Sequence, residues 1–71
     1  MQEYYDSFIG MHIDELTNKL SQTSVIKLIE GEKNKTKKLV YDMASIDGGI
    51  FLEINYNIEN GTIENINYIV K

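Results

Sequence analysis

The chain has no cysteine, no proline and no tryptophan, and one histidine, His12, among its 71 residues. Without cysteine there are no disulfide staples and no thiol chemistry, and one imidazole alone does not make a structural zinc site. No run of 18 apolar residues occurs, so no transmembrane helix is expected. The opening MQEYYDSFIG lacks a basic stretch followed by an apolar core. A signal peptide is therefore not expected, and the expectation is a cytoplasmic protein. An export signal lying outside this chain would leave no trace in it. Arginine is absent too, and seven lysines face eleven acidic residues for a net charge of −4. Four of those lysines, Lys33, Lys35, Lys37 and Lys38, sit close together, so the remainder is more acidic still. Non-specific nucleic-acid binding, which needs a basic stripe, is not expected. Solubility alone, or docking onto a basic partner, accounts for the balance.

The apolar fraction of 42% is ordinary for a globular chain, and a chain of this length makes one domain over 1–71 with a small core. The abundance of Ile, Asn and Lys suggests an AT-rich bacterial or phage genome.

The clearest pattern is the stretch from Gly48 to Lys71. Ile50, Leu52, Ile54, Tyr56 and Ile58 alternate with Phe51, Glu53, Asn55 and Asn57, the period-2 signal of a half-buried strand. A second run, Thr62 to Val70, follows Glu59-Asn60-Gly61, and Asn-Gly is a strong hairpin cue because both residues tolerate positive φ. A two-residue loop would put Ile66, Tyr68 and Val70 on the polar face. A three-residue loop pairs Ile54 with Ile66, Leu52 with Tyr68 and Ile50 with Val70 on one buried face, and burial decides register. A type I turn closed by a bulge, with Gly61 left-handed, is therefore predicted. The opposite face becomes Phe51, Glu53, Asn55 and Asn57 against Ile69, Asn67, Asn65 and Ile63.

Upstream, Met1 to Phe8 is either an extended arm or a short helical turn whose Tyr4, Tyr5 and Phe8 cover one end of the core. Gly10 breaks the chain. A helix is predicted over about 12–22, with His12 as N-cap, Met11 and Leu16 as a hydrophobic staple and Glu15 as a capping-box partner. Asp14 and Glu15 in its first turn and Lys19 in its last complement the dipole. Ile13, Leu16 and Leu20 form its apolar stripe. Val25 to Glu30 and Leu39 to Ala44 are predicted strands, separated by a lysine-rich turn, Gly31 to Lys38. Asp47-Gly48-Gly49 is a turn signal. The predicted fold is α+β: one N-terminal helix packed on a four-stranded antiparallel β-meander. Ile26 and Leu28, with Leu39, Tyr41 and Met43, are expected to face the helix.

Catalytic candidates are few. His12 has Asp14 and Glu15 near it only in sequence, and a general base needs an oriented neighbour. Ser7, Ser21, Ser24 and Ser45 lack a triad pattern. Glu53 and Glu64 are expected on opposite faces, which excludes a carboxylate pair. Gly48-Gly49 lacks phosphate-loop spacing, and Asp47 begins no calcium loop. The lysine cluster is a solvated hairpin tip or a grip for a phosphate or an acidic partner. No catalytic, metal or cofactor residue is assigned. The candidate binding face is Phe51, Asn55, Asn57, Asn65, Asn67 and Ile69, since neutral amides both donate and accept.

Phe8-Ile9-Gly10-Met11-His12-Ile13-Asp14-Glu15-Leu16 resembles the helix opening of the β-lactamase-inhibitor-like and outer-membrane-assembly-lipoprotein (SmpA/OmlA) small α+β domains. His12 stands where threonine is usual there, and the Leu-Gly-x-Pro that often ends that helix is absent. The resemblance implies a binding or inhibitory domain. The expected function is a small acidic, non-catalytic protein-interaction module, an inhibitor or immunity-type protein of a bacterium or phage whose partner is another protein. The alternatives are a structural subunit that homo-dimerises or oligomerises through its sheet edge, and a small-ligand-binding domain or enzyme.

Overall fold

The computed structural model describes residues 2–23, 25–43 and 49–70. The predicted turn at Asp47-Gly48, together with Ser24, Ala44, Ser45 and Lys71, lies outside the described residues.

The chain is α+β, with short helices set against an antiparallel sheet. A first helix, α1, covers Gln2–Asp6, and a second, α2, covers Ile13–Ser21. Four strands follow: β1 Ile26–Lys33, β2 Thr36–Asp42, β3 Ile50–Asn57 and β4 Ile63–Val70. They pair antiparallel in chain order. A bridge between His12 and Thr62 brings a further short segment onto the start of β4.

The helices form one layer. On α2 the 3–4 spacing puts Ile13, Leu16 and Leu20 on one buried stripe. They meet Leu39, Leu52, Ile54 and Ile66 from the sheet, with Met43, Leu52 and Ile54 fully enclosed. From α1, Tyr5 and Phe8 are buried. Tyr5 stacks on Tyr68 with ring centroids 5.6 Å apart, and Tyr4 sets its edge against Phe8. The aromatic N-terminus thus covers the β4 side of the core.

At the start of α2 the backbone is extended at His12, whose Nδ1 accepts the Asp14 N–H at 3.1 Å. This is N-cap geometry supplied by an imidazole. Gly10, with φ +93°, turns the chain between the helices. Its N–H donates to the Ile63 carbonyl, the Ile63 N–H to Met11, and the Ile13 N–H to Gly61. The entry to α2 is therefore stitched to the end of the β3–β4 loop. Met11, placed as a staple from sequence, is 41% exposed.

In β3–β4 the pairs are Ile50–Val70, Leu52–Tyr68 and Ile54–Ile66, the register that burial demanded. The extra residue sits elsewhere than predicted. The loop has four residues, Ile58 to Gly61, closed by Asn57 N–H to the Thr62 carbonyl and Gly61 N–H to the Asn57 carbonyl. Gly61 is left-handed at φ +73°. The register then shifts between Asn55–Asn65 and Tyr56–Ile63, leaving Glu64 as a bulge within β4. As a result Ile63, expected on the outer face, is buried, while Ile58, expected inside, is exposed.

The lysine segment also differs. β1 runs to Lys33 and β2 starts at Thr36, so only Asn34 and Lys35 form the turn, with Asn34 at φ +58°. Lysine reads as loop by its charge, yet a two-residue turn with Asn34 left-handed is enough to reverse the strands. A second bulge near Leu28 shifts β1 against β2. Lys27 then pairs with Tyr41 and Glu30 with Leu39, on the helix-facing side of the sheet. Ile26 and Leu28, expected in the core, are 63% and 48% exposed.

Candidate functional site

The helices occupy one face of the sheet, and the other face holds the residues singled out from sequence. Strand register sets them in rungs. Asp42, Phe51 and Ile69 form one rung across β2, β3 and β4. Val40, Glu53 and Asn67 form the next, and Lys38, Asn55 and Asn65 a third. At the β1 edge Ile26 extends the first rung beside Asp42. Phe51, Asn55 and Asn57 are half-buried, and Asn65, Asn67 and Ile69 are exposed.

Glu53 organises this face. Its Oε1 accepts the side-chain amides of Asn67 at 3.2 Å and Asn55 at 3.4 Å. The Lys38 ammonium lies 3.9 Å from its other oxygen. Read from sequence as an ordinary strand residue, Glu53 is the carboxylate on which two of the four asparagines converge. Asn67 directly opposite it and Asn55 two residues along its own strand were the available signal. With their N–H groups turned to Glu53, Asn55 and Asn67 leave amide oxygens for an outside donor.

Asn57 has a different role. Its Oδ1 accepts the backbone N–H of Glu59 at 2.8 Å and of Asn60 at 3.3 Å. That is the local side-chain-to-backbone bonding by which asparagine shapes a turn. Its amide reaches Glu64 Oε2 at 3.5 Å. The bulge therefore brings Glu64 round to the same face as Asn57, contrary to the expectation that Glu53 and Glu64 diverge. Among the described residues, only Asn65 of the four asparagines has an uncommitted side-chain amide.

The lysines are largely paired. Lys35 meets Glu59 at 3.2 Å, Lys38 approaches Glu53, and Lys37 binds Glu30. Glu30 also takes Lys27 at 3.2 Å. The hydrogen bond from Lys37, then that from Lys27, holds the Glu30 carboxyl below its ordinary value, and Glu30 in turn raises the Lys37 ammonium. Beside this triad, burial pushes the Tyr41 phenol up. Three of the four clustered lysines thus already have carboxylate partners, which weakens the anion-grip reading.

His12 sits at the helix entry, with Nδ1 taken by the Asp14 N–H and the Asp14 carboxylate 3.6 Å away. Its ring packs on Gly61, where a Cβ would collide with it. Ser7 and Ser21 donate to the Tyr4 and Asn18 carbonyls. Among the described residues no group of three potential metal ligands occurs, no cavity opens, and no helix is long and apolar enough to cross a membrane. Comparison of the chain with protein-family models, with curated proteins and with solved structures finds no match.

Proposed function

We propose that this chain is a small acidic, non-catalytic protein-binding module that masks a partner with its outer sheet face. The specific version is an inhibitor or immunity-type protein of a bacterium or phage; the resemblance of residues 8–16 implies a binding or inhibitory domain, and the small size, acidic balance and composition carry the rest. In this reading the four paired strands are a meander and the His12 segment is an accessory rung. The observation that carries the proposal is the outer face, which neither helix covers among the described residues. It combines half-buried Phe51 and exposed Ile69 with the amide network around Glu53. An apolar pair rimmed by hydrogen-bonding groups is the composition of a protein interface. The face offers acceptors more than donors and the chain carries −4, so a partner rich in lysine or arginine fits it.

The test is affinity capture with the parent chain, with Ile69→Lys and with His12→Ala, followed by identification of what is retained. The expected result is a basic partner held by the parent and by His12→Ala, released by added salt and lost with Ile69→Lys. Retention indifferent to Ile69→Lys, or turnover of a substrate abolished by His12→Ala, overturns the proposal.

A second reading, a structural subunit that pairs through its sheet edge, is favoured by β4, which lies at the edge and carries no charge from Asn65 to Val70. Uncharged edges invite pairing. Sedimentation separates the two, since a tight homo-oligomer at micromolar concentration supports this second reading.

A further inference from the structure

Asn60-Gly61 is the chain's single Asn-Gly pair, and it lies at the tip of the β3–β4 loop. An asparagine side chain is open to attack by the backbone nitrogen of the next residue, and glycine hinders that attack least. The loop treats the two reacting groups oppositely. Asn60 is exposed, and its Oδ1 accepts the Thr62 N–H at 2.9 Å. That bond polarises the side-chain carbonyl and would stabilise negative charge developing on its oxygen. The nucleophile is withheld. The Gly61 N–H is donated to the Asn57 carbonyl at 2.8 Å, and Gly61 is buried beneath the His12 ring.

We infer that Asn60-Gly61 is a latent self-modification site, with its electrophile presented by the folded loop and its nucleophile locked until the loop opens. In the reaction the Gly61 nitrogen bonds to the Asn60 Cγ, the Cγ–Nδ2 bond breaks, and ammonia leaves. The Gly61 amide proton passes to water, and water returns a proton to the departing Nδ2, so that it leaves as ammonia. Water then adds to either carbonyl of the five-membered ring, which opens to aspartate or isoaspartate. Nothing is oxidised or reduced, and water is the only co-reactant. Either product adds a negative charge to an acidic chain. Isoaspartate also lengthens the backbone of a four-residue loop that holds Gly61 against His12, so the product cannot rebuild the native closure. The other asparagines precede Lys, Tyr or Ile, whose side chains hinder the same attack.

The test incubates native and urea-unfolded protein in warm neutral buffer and quantifies both products at position 60 by peptide mapping. The unfolded chain is expected to react, and the native chain to react slower by about tenfold or more, because only the open loop is competent. Asn57→Ala, which removes the oxygen holding Glu59 and Asn60, should move the native rate toward the unfolded one. Equal rates in native and unfolded parent protein overturn the inference, as does an unfolded chain that stays intact. If Asn57→Ala does not fold, hydrogen exchange of the Gly61 amide in the parent decides. Protection of that amide supports the lock, and exchange at the open-chain rate refutes it.

Discussion

At the scale of single residues, Gly61 and His12 act as one unit. Gly61 has φ +73°, and the space where a Cβ would stand is filled by the His12 ring. The two penalties are separable. An alanine at Gly61 suffers a left-handed backbone, worth about 1–2 kcal/mol, and a collision with the imidazole on top of it. Valine adds β-branching, so Gly61→Val should cost more than Gly61→Ala and lower the midpoint of urea unfolding further. In a His12→Ala background the collision is gone and only the backbone term remains. The cost of Gly61→Ala is therefore expected to shrink in that background, a coupling readable from a double-mutant cycle. Equal costs in both backgrounds would show that the ring simply moves aside. The left-handed glycine was legible from Asn-Gly before apolar alternation. The imidazole above it was not, because nothing local in sequence links position 12 to position 61.

At the scale of elements, alternation told which residues share a face within an unbroken run but not where a strand takes its extra residue. Any device that offsets β4 by one pairs Ile54 with Ile66, and a bulged turn was the nearest choice. The structure uses a longer loop and a bulge at Glu64, which sends Ile63 inward. Removing Glu64 should then leave Tyr56–Ile63 and Asn55–Asn65 as consecutive rungs of a regular ladder. The deletion is expected to fold, with Ile63 still buried. Deleting Asn67 instead slips Tyr68 and Ile69 onto the wrong faces and should unfold the chain. Thermal melts of the two variants check this, and equal damage from both would show that the bulge is required. In β1 the same limitation misplaced Ile26 and Leu28, since one bulge inverts the faces on either side of it.

The β1 edge also carries the ion-paired triad of Lys27, Glu30 and Lys37. A carboxyl held below its ordinary 4.5 contributes stability above that value and loses it as pH falls through the lower folded value. A lysine held above 10.5 contributes below that value and loses it as pH rises through the folded one. Acid should therefore loosen β1 in the parent, and Glu30→Gln should flatten part of that fall in melting temperature. Because the triad is exposed, added salt should flatten it as well. An acid slope unchanged by the substitution would mean that the triad contributes nothing to the fold.

At the scale of the whole molecule, one short helical layer packs on an antiparallel sheet, and the two faces of that sheet differ in burial. Neighbouring positions show the division. Leu52 is fully enclosed on the helix-facing side, and Phe51 and its partner Ile69 lie on the other, with Ile69 41% exposed. Leu52→Ala removes a core side chain that a chain this small cannot replace, and should cost about 2–5 kcal/mol, much of its total stability. Ile69→Ala deletes contacts on an open surface and should cost no more than about 0.5–1 kcal/mol. If the outer face binds a partner, the order reverses in a binding assay. Ile69→Ala then weakens the complex as a folded protein, and Leu52→Ala affects binding only through the fraction unfolded. Urea titrations of both variants, followed by binding measured well below each unfolding midpoint, distinguish these outcomes. An Ile69→Ala variant as unstable as Leu52→Ala would mean that the outer face is structural and that the proposed division of duties is wrong.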